Sequence, residues 1–266
     1  MKKYLIFQII VIVLFCLLLS CEKVINLHLE TSPSQIVIQG NINDQPGPYI
    51  VKISKSVSFD ESNVYPAVSG ATVIISDNAG NSDTLTEVSS GKYSTSVLQG
   101  VPGRIYTLTT KIDGQTYAAS STLPEALEID SIYVEKTMFG NEKQITIDFT
   151  DPANIDNYYR LIEFVNNIQQ DQIYVTSDKL YEGKKISYSF MSQDNDNKLE
   201  TGDKVTIWLE CVDKFVYEYF RTADANGGQT ASPANPTSNI SNGALGYFNA
   251  CSVRKISIVV PKMNFE

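Results

Sequence analysis

The sequence predicts an all-β fold with a single helix, and three observations support this prediction. The chain has 15 Tyr and 11 Phe beside many Val, Ile and Thr, and these residue types are enriched in strands. Short runs that alternate between apolar and polar residues follow one another and are separated by turns rich in Gly, Pro and Asn. Helical spacing of apolar residues occurs in one segment, near residues 214–225.

Residues 1–20 have the pattern of a lipoprotein signal peptide. Lys2 and Lys3 precede an apolar run, and the small residue Ser20 stands directly before Cys21. A small residue admits the signal peptidase, and the Cys21 thiol takes a diacylglyceryl group before cleavage. The alternative is a transmembrane anchor, but the apolar run is shorter than the ~20 residues needed to span a bilayer. We therefore expect export, lipidation at Cys21 and attachment to a membrane by acyl chains.

Residues 21–33 are expected to form a lipidated tether, and residues 34–124 an immunoglobulin-like sandwich. The strands of this sandwich are predicted at residues 35–40, 49–55, 71–77, 83–88, 92–97, 105–112 and 115–121. Asp113-Gly114 lies between the last two strands and is a strong hairpin signal, because both residues tolerate positive φ. A series of short antiparallel strands of this length is typical of immunoglobulin and fibronectin-III-like sandwiches.

A possible tyrosine corner supports the sandwich. The run from Gly100 to Tyr106 places a Pro-Gly turn directly before a strand with an early tyrosine. In fibronectin-III-like domains, the phenol of such a residue bonds back to the preceding loop. The alternative is an ordinary half-buried strand tyrosine.

Leu123-Pro124 marks the predicted boundary to a C-terminal antiparallel β domain over residues 125–266. Its strands are predicted at residues 129–135, 144–150, 158–165, 172–176, 185–191, 204–212, 245–250 and 253–260. The helix near residues 214–225 has Phe215, Tyr219, Phe220 and Ala223 at helical spacing, so these residues are expected to face the sheet. Residues 226–244 are rich in Gly, Ser, Asn and Pro and are predicted to form a long surface loop.

The cysteines and the single histidine restrict the possible chemistry. Cys211 and Cys251 would lie in an oxidising compartment, so they either form a disulfide or remain two buried thiols. His28, the one histidine, lies in the tether, which argues against His-based catalysis and His metal sites in the folded body. We expect no enzyme activity, since a reaction site requires a base or a metal.

Acidic residues offer two further candidate sites, and neither is persuasive. The pairs Asp148/Asp151 and Glu128/Asp130 could suggest glycoside hydrolysis, but such pairs are common in a chain with 30 Asp and Glu. Residues 194–203 place Asp194, Asp196 and Glu200 in one loop, which would suit calcium. The EF-hand pattern fails there, because Lys198 and Leu199 occupy the third-ligand and glycine positions. A solvated turn is the alternative, and no metal or cofactor is expected.

Charge and aromatic residues define the expected partners. Without Lys2 and Lys3, 19 Lys and Arg stand against 30 Asp and Glu, a net charge of −11, so nucleic acid is not an expected partner.

Aromatic residues are concentrated in the C-terminal half and are either sandwich core or contact residues: Tyr158, Tyr159, Tyr174, Tyr181, Tyr188, Trp208, Tyr217, Tyr219 and Tyr247. The loop over residues 226–244 is the better candidate for a contact surface.

Four motifs in a fixed order resemble one known family. They are Cys21-Glu22-Lys23-Val24-Ile25; the run from Gly100 to Tyr106; Asp151-Pro152 with Asn157-Tyr158-Tyr159-Arg160; and Asn235-Pro236 with the run from Asn239 to Phe248. Together they resemble the Bacteroidota lipoproteins that carry domain of unknown function 4249. The resemblance implies an outer-membrane lipoprotein that assists a TonB-dependent transporter, and it implies no catalytic residues.

Three functional hypotheses follow. The first is a non-catalytic binding or accessory module, anchored to the outer membrane by lipid and facing either the medium or the periplasm, that partners a TonB-dependent transporter in nutrient uptake. The second is a structural or adhesin-like envelope lipoprotein without a small-molecule ligand. The third is a calcium-dependent binding protein.

Overall fold

The computed structural model describes residues 33–58, 61, 64–137, 142–190, 198–227 and 235–263. Its strands are β1 (Ile36–Asn43), β2 (Ile50–Lys55), β3 (Thr72–Asp77), β4 (Ser82–Thr84), β5 (Thr86–Ser89), β6 (Lys92–Ser94), β7 (Ile105–Ile112), β8 (Gln115–Thr122), β9 (Ile129–Lys136), β10 (Lys143–Thr150), β11 (Tyr158–Val165), β12 (Ile168–Gln169), β13 (Tyr174–Ser177), β14 (Lys185–Phe190), β15 (Lys204–Val212) and β16 (Leu245–Val259). The described residues include one α-helix, α1 (Lys214–Gly227), and a 3₁₀ turn at Asp178–Leu180. The prediction of an all-β fold with one helix is confirmed.

The N-terminal half is a sandwich of two antiparallel layers. One layer has the strand order β1-β2-β6-β5, and the other has the order β4-β3-β7-β8. Alternate residues of both layers, such as Ile38, Val51, Ile75 and Leu108, are buried between them in one apolar cluster. The predicted tyrosine corner is present: the Val101 N–H donates to the buried Tyr106 hydroxyl at 2.7 Å.

The predicted strand over residues 83–88 is wrong, because the chain changes layers in the middle of it. β4 pairs with β3 in one layer, whereas β5 pairs with β6 in the other. Leu85 lies between them and is buried in the core. Asp83 holds the crossing in place, since its carboxylate accepts hydrogen bonds from the backbone N–H groups of Ser96, Val97 and Leu98 at 2.8–3.0 Å.

A single long strand, β16, replaces the two strands predicted at residues 245–250 and 253–260. It pairs in parallel with β1 and antiparallel with β15, so one nine-stranded sheet contains strands from both halves of the chain. Gly246 permits the close approach to β1: its φ is +97°, and a Cβ there would lie 2.0 Å from the Ile38 carbonyl oxygen. Residues 34–266 form one unit, and the boundary at Leu123-Pro124 stays a prediction.

The C-terminal half is a second sandwich. The three-stranded sheet β14-β10-β9 packs on β11, β15 and the end of β16. Ile147, Phe149, Leu161 and Ile207 lie at its centre and are almost fully buried.

Helix α1 covers the other face of the large sheet, and its position differs in one respect from the prediction. Val216 and Phe220 are buried against Val212, Cys251 and Val253. Phe215, expected to face the sheet, is 65% exposed. The difference arises where the helix begins. Asp213 caps α1 by accepting a hydrogen bond from the Val216 N–H at 2.9 Å, and a helix that begins there directs the Phe215 side chain outward.

No helix among the described residues is long and apolar enough to cross a membrane.

Candidate functional site

Several residues singled out in the sequence lie outside the described residues. These are Cys21 with the signal peptide, the tether up to residue 32, and Asp194 and Asp196 of the candidate calcium loop. Glu200, the third residue of that loop, is described and is exposed. Lipidation at Cys21 and calcium binding by the loop therefore stay predictions.

Cys211 and Cys251 are free and buried. Cys211 is paired in register with Ser252, the neighbour of Cys251, so the two thiols point to opposite faces of the sheet. Accordingly, Cys211 belongs to the core of the C-terminal sandwich, and Cys251 packs beneath α1. Of the two alternatives for these cysteines, the structure has two separate buried thiols.

The carboxylates of the two pairs noted in the sequence have separate bonding partners. Asp148 bonds with Ser131, Ser187 and Lys185 at 2.6–2.9 Å. Burial opposes ionisation of this carboxyl, but these bonds outweigh it and lower the pKa of Asp148 to about 2. Glu128 forms an ion pair with Arg254 at 2.7 Å.

Asp151 instead joins Asp178 and Glu182, and their ligand atoms all lie within 4.8 Å of one another. Both oxygens of Asp151 already accept hydrogen bonds, one from the Tyr159 hydroxyl and one from the Gly183 N–H at 2.9 Å. Burial, together with the neighbouring acids, raises the pKa of Asp178. These three carboxylates could hold a cation, but hydrogen bonds account for much of their arrangement.

The aromatic residues fall into separate packed groups. On the face covered by α1, Tyr219, Phe220 and Tyr247 lie with ring centroids 4.8–5.2 Å apart. Tyr158 packs on Tyr217, and Trp208 lies between Phe164 and the ammonium of Lys255. Tyr159, Tyr174 and Tyr188 belong to the inner core, and Tyr181 is partly exposed. Most of these rings therefore have a packing role.

A polar network lies beneath α1. The guanidinium of Arg160 lies over the Phe220 ring at 3.8 Å and bonds to Glu210 at 3.1 Å. The Asn249 amide donates towards Glu210 and towards Asn41, at 3.5 and 3.3 Å, while its Oδ1 has no partner among the described residues. Because these residues are buried or half-buried beneath the helix, the network fixes the position of α1 on the sheet.

A groove of about 380 Å³ lies where β8, the start of α1 and the loop before β16 meet. It is lined by Ala118, Ala119, Ser120, Phe215, Ser238, Asn239, Ile240 and Ser241. Its volume lies within the range of small-ligand sites. The lining includes no charged side chain; it combines apolar groups with hydroxyls and an exposed ring.

The loop over residues 235–244 forms one wall of the groove, and local hydrogen bonds explain its order. Asn239 holds the loop to β16, since its amide exchanges two hydrogen bonds with the Phe248 backbone at 2.8 and 2.9 Å. Ser241 holds it to β8: its N–H donates to the Ala118 carbonyl, and its hydroxyl accepts from the Ala118 N–H. Residues 235–244 of the predicted contact loop are therefore held in place by hydrogen bonds and form one wall of the groove.

The floor of the groove is the free edge of β8, where the backbone groups of one residue, Ser120, have no hydrogen-bond partner among the described residues. The backbone N–H and C=O of Ala118 bond to Ser241 and therefore point away from β7. Backbone groups alternate in direction along a strand, so those of residues 116, 120 and 122 also point away from β7. Asn242 bonds to the Thr116 carbonyl, and Asp213 accepts from the Thr122 N–H. In the described part of the chain, no group bonds to the outward N–H and C=O of Ser120. The groove thus offers a backbone donor and acceptor beside the Phe215 ring.

Part of this site follows from the sequence. The length and composition of the loop over residues 226–244 predict a contact surface. The helical spacing predicts Phe215 on the buried face, which is wrong, and the unpaired backbone groups of Ser120 depend on strand order, which has no signal in the sequence.

Comparisons with known proteins give a family but no activity. The family model described as Domain of unknown function (DUF4249) matches residues 22–257. No curated protein matches the chain. Among solved structures, the chain is similar to "Cytokine receptor complex - Crystal form 1A", with 9% identity, 83% of this chain and 94% of that chain covered, and a TM-score of 0.25.

Proposed function

The chain belongs to the DUF4249 family, and from that premise we propose that it is a non-catalytic binding module of a Bacteroidota lipoprotein, anchored to the outer membrane. The leader with Cys21 supports the anchor. The partner we propose is a TonB-dependent transporter, and the resemblance of the sequence motifs to lipoproteins that assist such transporters supports this choice. The module would assist that transporter in the uptake of a nutrient.

The groove beside Phe215 carries this proposal. Phe215 is 65% exposed and lies in the lining of this concave surface, and aromatic side chains are enriched at the centres of protein interfaces. The open backbone groups of Ser120 allow a partner to add main-chain hydrogen bonds to the β8 edge. Because the lining carries no charge, an uncharged loop of another protein fits it better than an ionic ligand.

The two described cysteines are poor candidates for a catalytic nucleophile, which supports a binding role. The one histidine, His28, lies outside the described residues. Cys211 and Cys251 are buried, and burial raises the pKa of both thiols, which disfavours the nucleophilic thiolate.

Affinity purification tests the proposal. The tagged full chain would be purified from detergent-solubilised outer membranes, and its partners identified by mass spectrometry. Wild-type protein should retain a TonB-dependent transporter in stoichiometric amount, and Phe215→Ala should lose most of it. Leu180→Ala is the control, because Leu180 is 81% exposed and is not among the residues that line the groove.

Two results would contradict the proposal. A clean monomer without a transporter would favour a structural or adhesin-like lipoprotein. Equal recovery of the transporter with both variants would exclude the groove as the contact.

A further inference from the structure

The polar side chains that line the groove beside Phe215 already take part in hydrogen bonds; they belong to Ser120, Ser238, Asn239 and Ser241. The Ser120 hydroxyl lies 3.0 Å from that of Thr107, across β7 and β8. The Ser238 hydroxyl accepts from a backbone N–H at 3.1 Å, and the Asn239 amide exchanges two bonds with the backbone of β16. A ligand would therefore have to compete with existing bonds at these side chains.

The backbone of Ser120 offers a donor and an acceptor without such competition. Ser120 is exposed and lines the groove, its N–H and C=O point away from β7, and none of the described residues bonds to them. In an antiparallel pair, one residue exchanges both an N–H and a C=O bond with the single residue opposite it. The open groups of Ser120 therefore match the N–H and C=O of one peptide residue.

The neighbouring positions of β8 limit the partner to that one residue. Pairing along a strand edge repeats at every second residue, so a longer partner strand would also need the backbone of Ala118 and Thr122. Both groups of Ala118 bond to Ser241, each at 2.8 Å, and the Thr122 N–H donates to the Asp213 carboxylate at 3.1 Å. A strand laid along β8 would break these bonds, whereas a chain that bends away on both sides of one residue keeps them.

The rest of the lining favours an apolar side chain on that residue. The Phe215 ring is 65% exposed, and Ala118, Ala119 and Ile240 add further apolar surface. The lining includes no charged side chain, so a charged group would lose hydration without gaining a counter-charge. The groove of about 380 Å³ has room for one residue with its two flanking peptide groups.

We propose that the groove is a one-residue peptide site, which binds an uncharged residue at a bend of its partner. Ser120 exchanges two backbone hydrogen bonds with this residue, and its apolar side chain packs on Phe215. The peptide site rests on the proposed function, because it defines which part of the partner enters the groove. It differs from strand addition, in which several residues pair along a sheet edge.

Ligand-observed NMR of the purified full chain with a capped leucine, N-acetyl-L-leucine N-methylamide, tests the peptide site. This probe contains one residue with its N–H, its C=O and an apolar side chain. A Kd of about 1 mM is expected for a ligand of this size. The matched probe carries a methyl group on the leucine nitrogen; it lacks the N–H donor and should bind at least about tenfold more weakly.

A longer probe tests the limit of one residue. N-acetyl-alanyl-leucyl-alanine N-methylamide has enough backbone to pair with β8 at more than one position. Because Ala118 and Thr122 are already bonded, it should bind within about threefold of the capped leucine. A larger gain in affinity would indicate strand addition and overturn the one-residue site.

Variants locate the bound probe. Phe215→Ala should weaken binding of the capped leucine at least about fivefold. Ser120→Pro removes the outward N–H without removing a bond to β7 and should abolish measurable binding. Leu180→Ala is the control and should bind as wild type does, because Leu180 is exposed and is not part of the lining.

Circular dichroism checks the folding of Ser120→Pro, and Phe215→Ala decides alone if the proline variant does not fold. Equal binding of the two leucine probes, or unchanged affinity in Phe215→Ala, would overturn the peptide site. Transporter recovery that depends on Phe215, without binding of the capped leucine, would overturn the peptide site alone. Binding of the capped leucine without a co-purified transporter would overturn only the proposed partner.

Discussion

Asp213 connects the helix to the N-terminal sandwich, and its removal gives the sharpest test of how the groove is built. Its Oδ1 accepts from the Val216 N–H at 2.9 Å and caps α1. Its Oδ2 accepts from the Ser121 hydroxyl at 2.5 Å and from the Thr122 N–H at 3.1 Å, both on β8. One carboxylate therefore joins the two elements that carry Phe215 and Ser120.

The expected cost of Asp213→Ala follows from these bonds. Loss of the cap costs about 1 kcal/mol, and loss of hydrogen bonds to a charged acceptor costs about 1.5–3 kcal/mol. Since the three bonds share one side chain, we expect a total of about 3 kcal/mol rather than their full sum. For a unit of this size, that corresponds to a Tm lower by roughly 6–12 °C.

Urea denaturation and thermal unfolding measure this effect directly. Asp171→Ala is the matched control, because Asp171 is an exposed acid whose side chain makes no hydrogen bond to the described residues. Unfolding free energies of Asp213→Ala and Asp171→Ala that agree within about 0.5 kcal/mol would show that the Asp213 carboxylate does not stabilise the fold. Asp213→Asn keeps an acceptor for the cap and should lose less than Asp213→Ala.

Three further predictions concern other parts of the fold. Tyr106→Phe leaves the Val101 N–H without its acceptor and should cost about 1–3 kcal/mol in urea denaturation. Gly246→Ala brings a Cβ against the Ile38 carbonyl and should cost more than about 3 kcal/mol, visible as loss of folded protein by circular dichroism. The lowered pKa of Asp148 stabilises the fold above pH 4 and loses this effect as pH falls towards 2, so Asp148→Asn should flatten the dependence of unfolding free energy on pH in that range.

Each of these has its own control. Tyr117→Phe removes a phenol that makes no hydrogen bond in the described residues, and an equal cost for both tyrosines would exclude the corner as the cause. Gly114→Ala has open space around the new Cβ, so its cost should stay near 1 kcal/mol despite a φ of +81°. An unchanged pH slope in Asp148→Asn would show that other carboxyls govern acid unfolding.

The sequence predicted local features well where one segment determines them. The alternation of apolar and polar residues predicts both ends of β11 and of β15 correctly, because each strand has one face in a core. The helix was located because its apolar spacing differs from that of the strands around it. The corner at Tyr106 was found because a Pro-Gly turn and a tyrosine lie within the same seven residues.

Features that depend on strand order could not be predicted. The residues around Leu85 alternate between apolar and polar as in one continuous strand. Only the pairing of β4 with β3 and of β5 with β6 shows that the chain passes from one layer to the other there. The absence of a turn residue at Cys251-Ser252 is consistent with one continuous strand β16. Its first half pairs with β1 and its second half with β15, and this pairing with distant segments has no local signal. Glu163 has a signal in the sequence, because it is a charged residue in the inward register of an apolar strand.

We propose that the groove beside Phe215 binds a partner in the outer membrane. The most direct measurement is affinity purification of the tagged wild-type chain from solubilised outer membranes, in parallel with Phe215→Ala and Leu180→Ala, with quantitative mass spectrometry. Wild type and Leu180→Ala should retain a stoichiometric TonB-dependent transporter, and Phe215→Ala should lose it. Recovery of the same amount with all three proteins, or of no transporter with any of them, would contradict it.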